Sequence, residues 1–254
     1  MKKTILLSSV LAVGAAFAGE VTNANAVAAL NFDVTTAAAQ TLVAVPFEGF
    51  EAGGKVKVND IVKTSNLGDG SKLYVPNTAG KYDTWTLTAG EWKADVQVEV
   101  GMAGTPVEKV GVNSTDVSVD RGSAFWIQPA AAGCIYLLGQ KSDAAGLSTA
   151  GNGWHLLGNA SVNPVTIVND DKVQEPDKDD TIVVQVNGRL RYYTYSTKKH
   201  GWRYTTDEGT LSDPTKDPLT IAPGQGFWYN SKVPVESVTF NWSTGVITKI
   251  YPKD

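Results

Sequence analysis

From about residue 41 this chain is written twice, and that repetition limits the folds open to it more than any other feature. VKVNDIV, DGSKLYV, KYDTWTLTAGEW, RGSAFW and CIYLLGQ follow one another in the first half; VTIVNDDKV, DTIVVQV, LRYYTYSTKKHGWRY, PGQGFW and VESVTFNW follow in the same order in the second. The landmarks keep their spacing: Asp60 and Asp170 stand 110 residues apart, Asp69 and Asp180 111, Trp92 and Trp202 110, and Trp126 and Trp228 102. The fall to 102 places a shorter connection in the second copy, in the polar, turn-rich stretch from Thr205 to Pro218. Units of about 100 residues are of ordinary domain size. A tandem duplication into a first lobe over 41–150 and a second over 151–254 is therefore expected.

Within each half the signals are those of strands. Lys55–Val58, Lys72–Val75, Thr84–Thr88, Val96–Val100, Val117–Val119 and Ala124–Gln128 are short, β-branched or aromatic, and divided by Gly, Asn or Asp. The alternation Leu190-Arg191-Tyr192-Tyr193-Thr194-Tyr195 predicts a half-exposed strand, and Asn187-Gly188 before it supplies a tight hairpin turn. Helical periodicity is absent after the N-terminus. The expected fold is all-β, as two similar antiparallel barrels or sandwiches that cover their sheet edges.

The N-terminus has the plan of a secretory signal peptide. Lys2 and Lys3 precede an apolar run from Thr4 to Phe17, and Ala16-Phe17-Ala18 is a small-x-small cleavage site; Ala24-Asn25-Ala26 offers a second. The run is too short to span a bilayer, and no later stretch is long and apolar enough. Cleavage after Ala18 leaves 20 basic against 26 acidic side chains, a formal charge of −6. Secretion, into the periplasm or beyond the cell, is expected, with no membrane span. Residues 19–40, rich in Ala, Thr and Asn, read as a flexible leader with one short strand near Leu30–Val34.

Charge and residue counts then exclude several classes of function. The acidic balance argues against nucleic acid as a partner, because phosphate neutralisation needs a basic excess. A single Cys excludes a disulfide framework and Cys-based zinc, and two His leave little for a His metal centre. Cys134, next to Ile135-Tyr136-Leu137-Leu138, reads as a small core residue in a buried strand. No G-x-S-x-G, H-E-x-x-H, Walker or dinucleotide pattern appears. The acidic stretch Asp170, Asp171, Glu175, Asp177, Asp179, Asp180 lacks the glycine and terminal glutamate of an EF-hand, so a solvated loop is the simpler reading than calcium. No metal and no cofactor is expected.

Two constellations remain. The matched pairs Phe125-Trp126 and Phe227-Trp228 place one ring of each pair inward and the other outward on a strand. An outward Trp either covers a sheet edge or offers a platform on which a sugar stacks. Tyr193, Trp202 and Arg191 add aromatic and cationic groups from a hairpin that also carries Arg189, Lys198, Lys199, His200 and Arg203. Sulfated or sialylated glycans suit such a surface. The second constellation is carboxylate pairing: a pseudo-twofold axis would bring Asp69 and Asp180, or else Asp60 and Asp170, to matching positions. Two carboxylates that close share a proton, the asymmetry used to activate water against a peptide bond. The simpler reading is that a duplicated gene duplicates its Asp-capped turns.

The succession N-D-I-V-K-T, L-x-x-G-x-K-L-Y-V, a Trp-containing hairpin, R-G-x-A-F-W and I-Y-L-L-G-Q resembles a family of small secreted, duplicated β proteins of mucin-feeding gut bacteria, one of them described as a mucin-degrading aspartic-type protease. The resemblance covers most of the mature chain. It implies an exported endopeptidase acting on mucin-like glycoprotein through a carboxylate pair between lobes. Asp69-Gly70-Ser71 and Asp180-Thr181-Ile182 depart from the Asp-Thr/Ser-Gly order of ordinary aspartic proteases, and both precede strands, so the motif transfers no catalytic residue. The rival expectation is a non-catalytic secreted glycan-binding or cell-surface structural protein using Trp126, Trp228 and the basic hairpin.

Overall fold

A computed structural model describes residues 27–34, 37–49, 56–65, 67–76, 81–94, 112–113, 118–142, 146–168, 177, 179–198 and 201–252. The segment expected to be a signal peptide, the strand expected at Val96–Val100, Asp170, Lys199 and His200 lie outside the described residues. The first half contributes β1 (Val27–Val34), β2 (Thr41–Ala44), β3 (Val56–Lys57), the helical turn α1 (Val58–Ile61), β4 (Val62–Ser65), β5 (Lys72–Pro76), β6 (Tyr82–Thr88), β7 (Glu91–Ala94), β8 (Val112–Asn113), β9 (Ser118–Val119), β10 (Ala124–Gln128) and β11 (Gly133–Gln140). The second contributes β12 (Leu147–Ala150), β13 (Trp154–Gly158), β14 (Val165–Thr166), β15 (Thr181–Val186), β16 (Arg189–Ser196), β17 (Gly201–Arg203), β18 (Thr220–Ile221), β19 (Gly226–Asn230), β20 (Ser237–Asn241) and β21 (Val246–Ile250). The protein is all-β, and every ladder is antiparallel.

The larger sheets share one order, β2-β10-β5-β6-β7 against β13-β19-β15-β16-β17, but the smaller sheets differ, because their third strand is β4, which precedes β5, in one half and β21, which follows β20, in the other. One larger sheet runs β2-β10-β5-β6-β7-β8 and the other β13-β19-β15-β16-β17; the smaller sheets run β1-β11-β4 and β12-β20-β21, and the two-stranded ladders join β3 to β9 and β14 to β18. Among the described residues no sheet closes on itself, so the expectation of barrels gives way to open layers. The period-2 strands dictate this: a face of alternate apolar residues must bury against a second layer. In the first half Leu30 and Leu137 of the smaller sheet pack with Phe125, Ile127, Trp85 and Trp92; in the second, Phe240 and Ile247 pack with Phe227, Tyr229, Tyr195 and Trp202.

Two boundaries differ from the sequence reading. The segment read as a mostly flexible leader pairs from Val27 to Val34 with all of β11, because Leu30 finds a fully buried slot. Residues 147–150 pair with β20, so they join the second set of strands rather than the first. The Asn187-Gly188 hairpin forms as expected, both residues at positive φ (50° and 75°).

The halves join through reciprocal contacts. Ala44 N–H donates to Gly224 O and Gly158 N–H donates to Gly122 O, each at 2.7 Å, while Val43 bridges Gln225 and Leu157 bridges Ser123. Gly158 lies so close to Ala44 that an added methyl would overlap the Ala44 Cβ. A third cluster fills the junction: Leu42, Ala44 and Ala124, with Trp126, Leu156 and Trp228 packed against it. The side chain of Gln185 clamps it, accepting from Leu42 N–H at 3.0 Å and donating to Gln40 O at 3.0 Å. Overpacking at such a contact costs about 1–3 kcal/mol. Gly158→Ala is expected to lower the unfolding free energy measured in urea by that amount, whereas Gly209→Ala, with open space around its Cβ position, costs only the strain of its positive φ, about 1 kcal/mol.

Candidate functional site

The aromatic constellation is where the strands of the two halves meet. In β10 and β19 alternation turns Phe125, Ile127, Phe227 and Tyr229 into the lobe cores and leaves Trp126 and Trp228 half-buried over the junction cluster. Cross-strand pairing places an aromatic ring directly beside Trp126 and aliphatic side chains beside Trp228. Trp126 is opposite Tyr74, and a hydrogen bond links Trp126 with Tyr82, which is 39% exposed. Burial pushes the Tyr82 hydroxyl above its ordinary pKa, with that hydrogen bond acting in the opposite sense. In the second half Trp228 pairs with Leu156 and Val183, and Val183 in turn pairs with Tyr192; Tyr192 is 58% exposed, and Trp154, two residues before Leu156 on β13, is 53% exposed. The same alternation that fills the cores therefore leaves flat rings on the opposite sheet faces.

The other aromatic candidates are placed differently. Tyr193 and Trp202 are buried, Trp202 edge-to-face with Tyr195 at 5.5 Å, so their rings serve the second core. Arg191 lies 4.2 Å above the Tyr204 ring, and Arg203 donates to Ser212 O and Leu211 O. These two cations hold the hairpin against its neighbouring loop, leaving Arg189 and Lys198 as its exposed basic groups among the described residues.

Asp69 and Asp180 do not converge. Asp69 is exposed, and its Oδ1 accepts the N–H of Ala89, a residue held at φ 53° in the β6–β7 turn. Asp180 is fully buried in the second half. Register explains why they are not counterparts: Gln128 pairs with Lys72 and Asn230 with Thr181, so Ser71, not Asp69, occupies the position matching Asp180. The two positions serve the same local role, since Ala130 N–H donates to Ser71 Oγ where Lys232 N–H donates to Asp180 Oδ1. Of the second pair, Asp60 belongs to α1 and Asp170 is not among the described residues.

What Asp180 does meet was not legible as a pair. Lys249, fully buried on β21, forms ion pairs with Asp180 Oδ2 and, at 2.7 Å, with Asp177 Oδ2. Asp180 Oδ2 also accepts from the Tyr229 hydroxyl at 3.1 Å and from Asp177 N–H at 3.0 Å; Tyr251 donates to Asp177 at 3.0 Å. Burial, then the neighbouring Asp180 charge, pushes the Tyr229 hydroxyl far up, and burial with the Asp177 bond takes Tyr251 to about 12, so both remain donors. The sequence signal was the inward position of Lys249 in Ile247-Thr248-Lys249: a lysine facing a core requires a buried anion.

The remaining nucleophiles are held in structural bonds. The Cys134 thiol is half-exposed rather than core, donating to Asp33 Oδ1 at 3.1 Å, and that bond raises its pKa away from the thiolate. His155 Nε2 contacts Gly151 N and Asn152 O in a turn. A groove of about 490 Å³ opens between the halves, lined among the described residues by Arg121, Lys141, Asn163, Thr166, Trp242 and other hydroxyl or apolar residues, with no carboxylate among them. Among the described residues no cluster of three His, Cys, Asp or Glu is disposed to hold a metal. Comparison with protein-family models, curated proteins and solved structures finds no match for the chain.

Removing one partner of a buried ion pair costs about 3–5 kcal/mol, because the other charge stays buried alone. Asp180→Ala is therefore expected to destabilise by at least that amount in urea unfolding, and Asp69→Ala by about 1 kcal/mol or less. Equal losses would contradict the assignment of the two aspartates.

Proposed function

We propose that this chain is an exported, non-catalytic glycan-binding protein of two β lobes derived from a tandem duplication, and that its binding face is built around Trp126 and Trp228. The observation that carries this reading is the placement of the two rings: matching strands deliver one half-buried Trp from each half to the junction cluster, with Tyr82 and Tyr192 exposed beyond them. Indole and phenol rings stack on the apolar faces of sugars while their polar edges meet hydroxyls. The polar groove between the halves, with Arg121 and Lys141 in its lining, extends the affinity to acidic sugars such as those of mucin-type glycoprotein. The recurring sequence stretches, the shared order of the larger sheets and the reciprocal Ala44 and Gly158 bonds support the duplication, with Val27–Val34 added to the first lobe and Leu147–Ala150 to the second. The Lys-Lys start, apolar run and Ala-Phe-Ala motif support export.

The aspartic-type endopeptidase reading has less support. It needs two carboxylates sharing a proton beside a water in an open cleft. The acids that do approach each other, Asp177 and Asp180, lie in one half and are bridged by Lys249.

Titration with a sialylated mucin-type glycopeptide tests the proposal. Stacking on each ring contributes about 1 kcal/mol, so Trp126→Ala and Trp228→Ala are each expected to weaken binding about fivefold when titrated well below the variant's own melting temperature, which falls because each ring also packs on the junction cluster. Unchanged affinity in both variants, or cleavage of the glycopeptide backbone by the wild type, contradicts it.

A further inference from the structure

We propose that Lys249 and Asp180 form an intramolecular amide bond, a self-made covalent tie between the two sheets of the second half. The starting observation is a lysine buried between two acids, its Nζ also donating to Ser231 Oγ at 3.3 Å. The Lys249 amine and the Asp180 carboxyl are pressed together inside the core, both side chains wholly buried, and a second acid, Asp177, touches the same nitrogen at 2.7 Å. Such a pair is costly to hold as charges in a water-excluded interior, and well-packed apolar residues would serve stability as well. The arrangement is that of a reaction site: a nucleophile, an electrophile and a proton carrier, held in place by the fold.

Each atom has a role. Asp180 Oδ1 accepts the Lys232 N–H at 2.8 Å, and Oδ2 accepts the Tyr229 hydroxyl at 3.1 Å and the Asp177 N–H at 3.0 Å. The Lys232 N–H at Oδ1 stabilises the oxyanion that develops there when nitrogen attacks, and the two donors at Oδ2 assist the departure of that oxygen. The ammonium first passes one proton to Asp180 Oδ2, which converts two buried charges into a neutral amine and a carboxylic acid. Lys249 Nζ then attacks Cγ. Asp177 takes a proton from the nitrogen and returns it to Oδ2, the Cγ–Oδ2 bond breaks, and water departs. One ammonium and one carboxylate become one amide and one water, with no change in oxidation state and no co-reactant. Oδ1 remains as the amide oxygen on Lys232 N–H, and the remaining Nζ–H points to Asp177.

Water exclusion and fixed geometry drive the condensation, because the fold supplies an effective concentration that free solutes never reach. Asp177, 30% exposed at its side chain, provides the path by which water leaves. The tie joins the start of β15 to the edge strand β21 in the other sheet, fastening the last strand of a chain whose one Cys precludes disulfides. The first half has Ser71 at the matching position and cannot form the bond.

The test is the intact mass of the purified protein after denaturation, followed by peptide mapping. The wild type is expected to be lighter than its sequence mass by one water, about 18 Da, with a branched tryptic peptide joining the Asp180 and Lys249 segments and no cleavage after Lys249. Lys249→Met and Asp177→Asn are expected at their full sequence masses. Asp180→Asn, which supplies a carboxamide to the same amine, is expected to lose ammonia and give the same branched peptide. Full sequence mass for the folded wild type overturns the proposal. So does a loss of water that persists in Lys249→Met, which would point to an aspartyl succinimide elsewhere.

Discussion

The junction between the halves is the constraint on which the rest of the structure depends. Ala44 donates to the backbone before β19 and Gly158 to the backbone before β10, so each half completes the edge of the other's principal sheet. An open edge strand is otherwise a template for aggregation. Small residues make the approach geometrically open: Ala44 and Ala124 in one half, Gly158 and Gly226 in the other. Larger side chains there would separate the ladders, and Leu42 and Leu156 would lose the packing that closes the cluster.

That closeness also explains where function is placed. The inward faces of β10 and β19 are committed to two separate cores, so the outward Trp126 and Trp228 are what the halves present jointly. Cross-strand pairing then decides which further rings belong to the face: Tyr82 and Tyr192 are outward, whereas Tyr193, one position on, is buried. A shift of one residue in β16 would exchange these roles, since side chains alternate with period 2. The charged chemistry lies elsewhere, in the second core, where Lys249, Asp177 and Asp180 act on one another.

Much of the fold was legible because it rests on local alternation. Ala124–Gln128 is a strand with the residue bounds the sequence indicated, Asn187-Gly188 turns as its φ preferences require, and Phe125 and Phe227 face inward. The carboxylates were not legible, for a register reason. Matching Asp69 with Asp180 by sequence spacing alone misses the pairing of β5 and β15 with β10 and β19, which sets Ser71 opposite Asp180's place. The Lys249 contacts are long-range across two sheets, so no local spacing announces them. Tyr193 and Trp202 look like surface aromatics in a basic hairpin, yet the hairpin folds its rings onto the core and spends Arg191 and Arg203 on fixing loops.

Native-state hydrogen exchange at the amides of Ala44 and Gly158 tests the central claim, that the two halves form one mutually supported unit, most directly. Both amides lie in ladders shared between halves, so they are expected to exchange only through global opening, with the same free energy and the same denaturant dependence. Exchange of one at a free energy several kcal/mol below the other would show that one half opens by itself and would contradict the account.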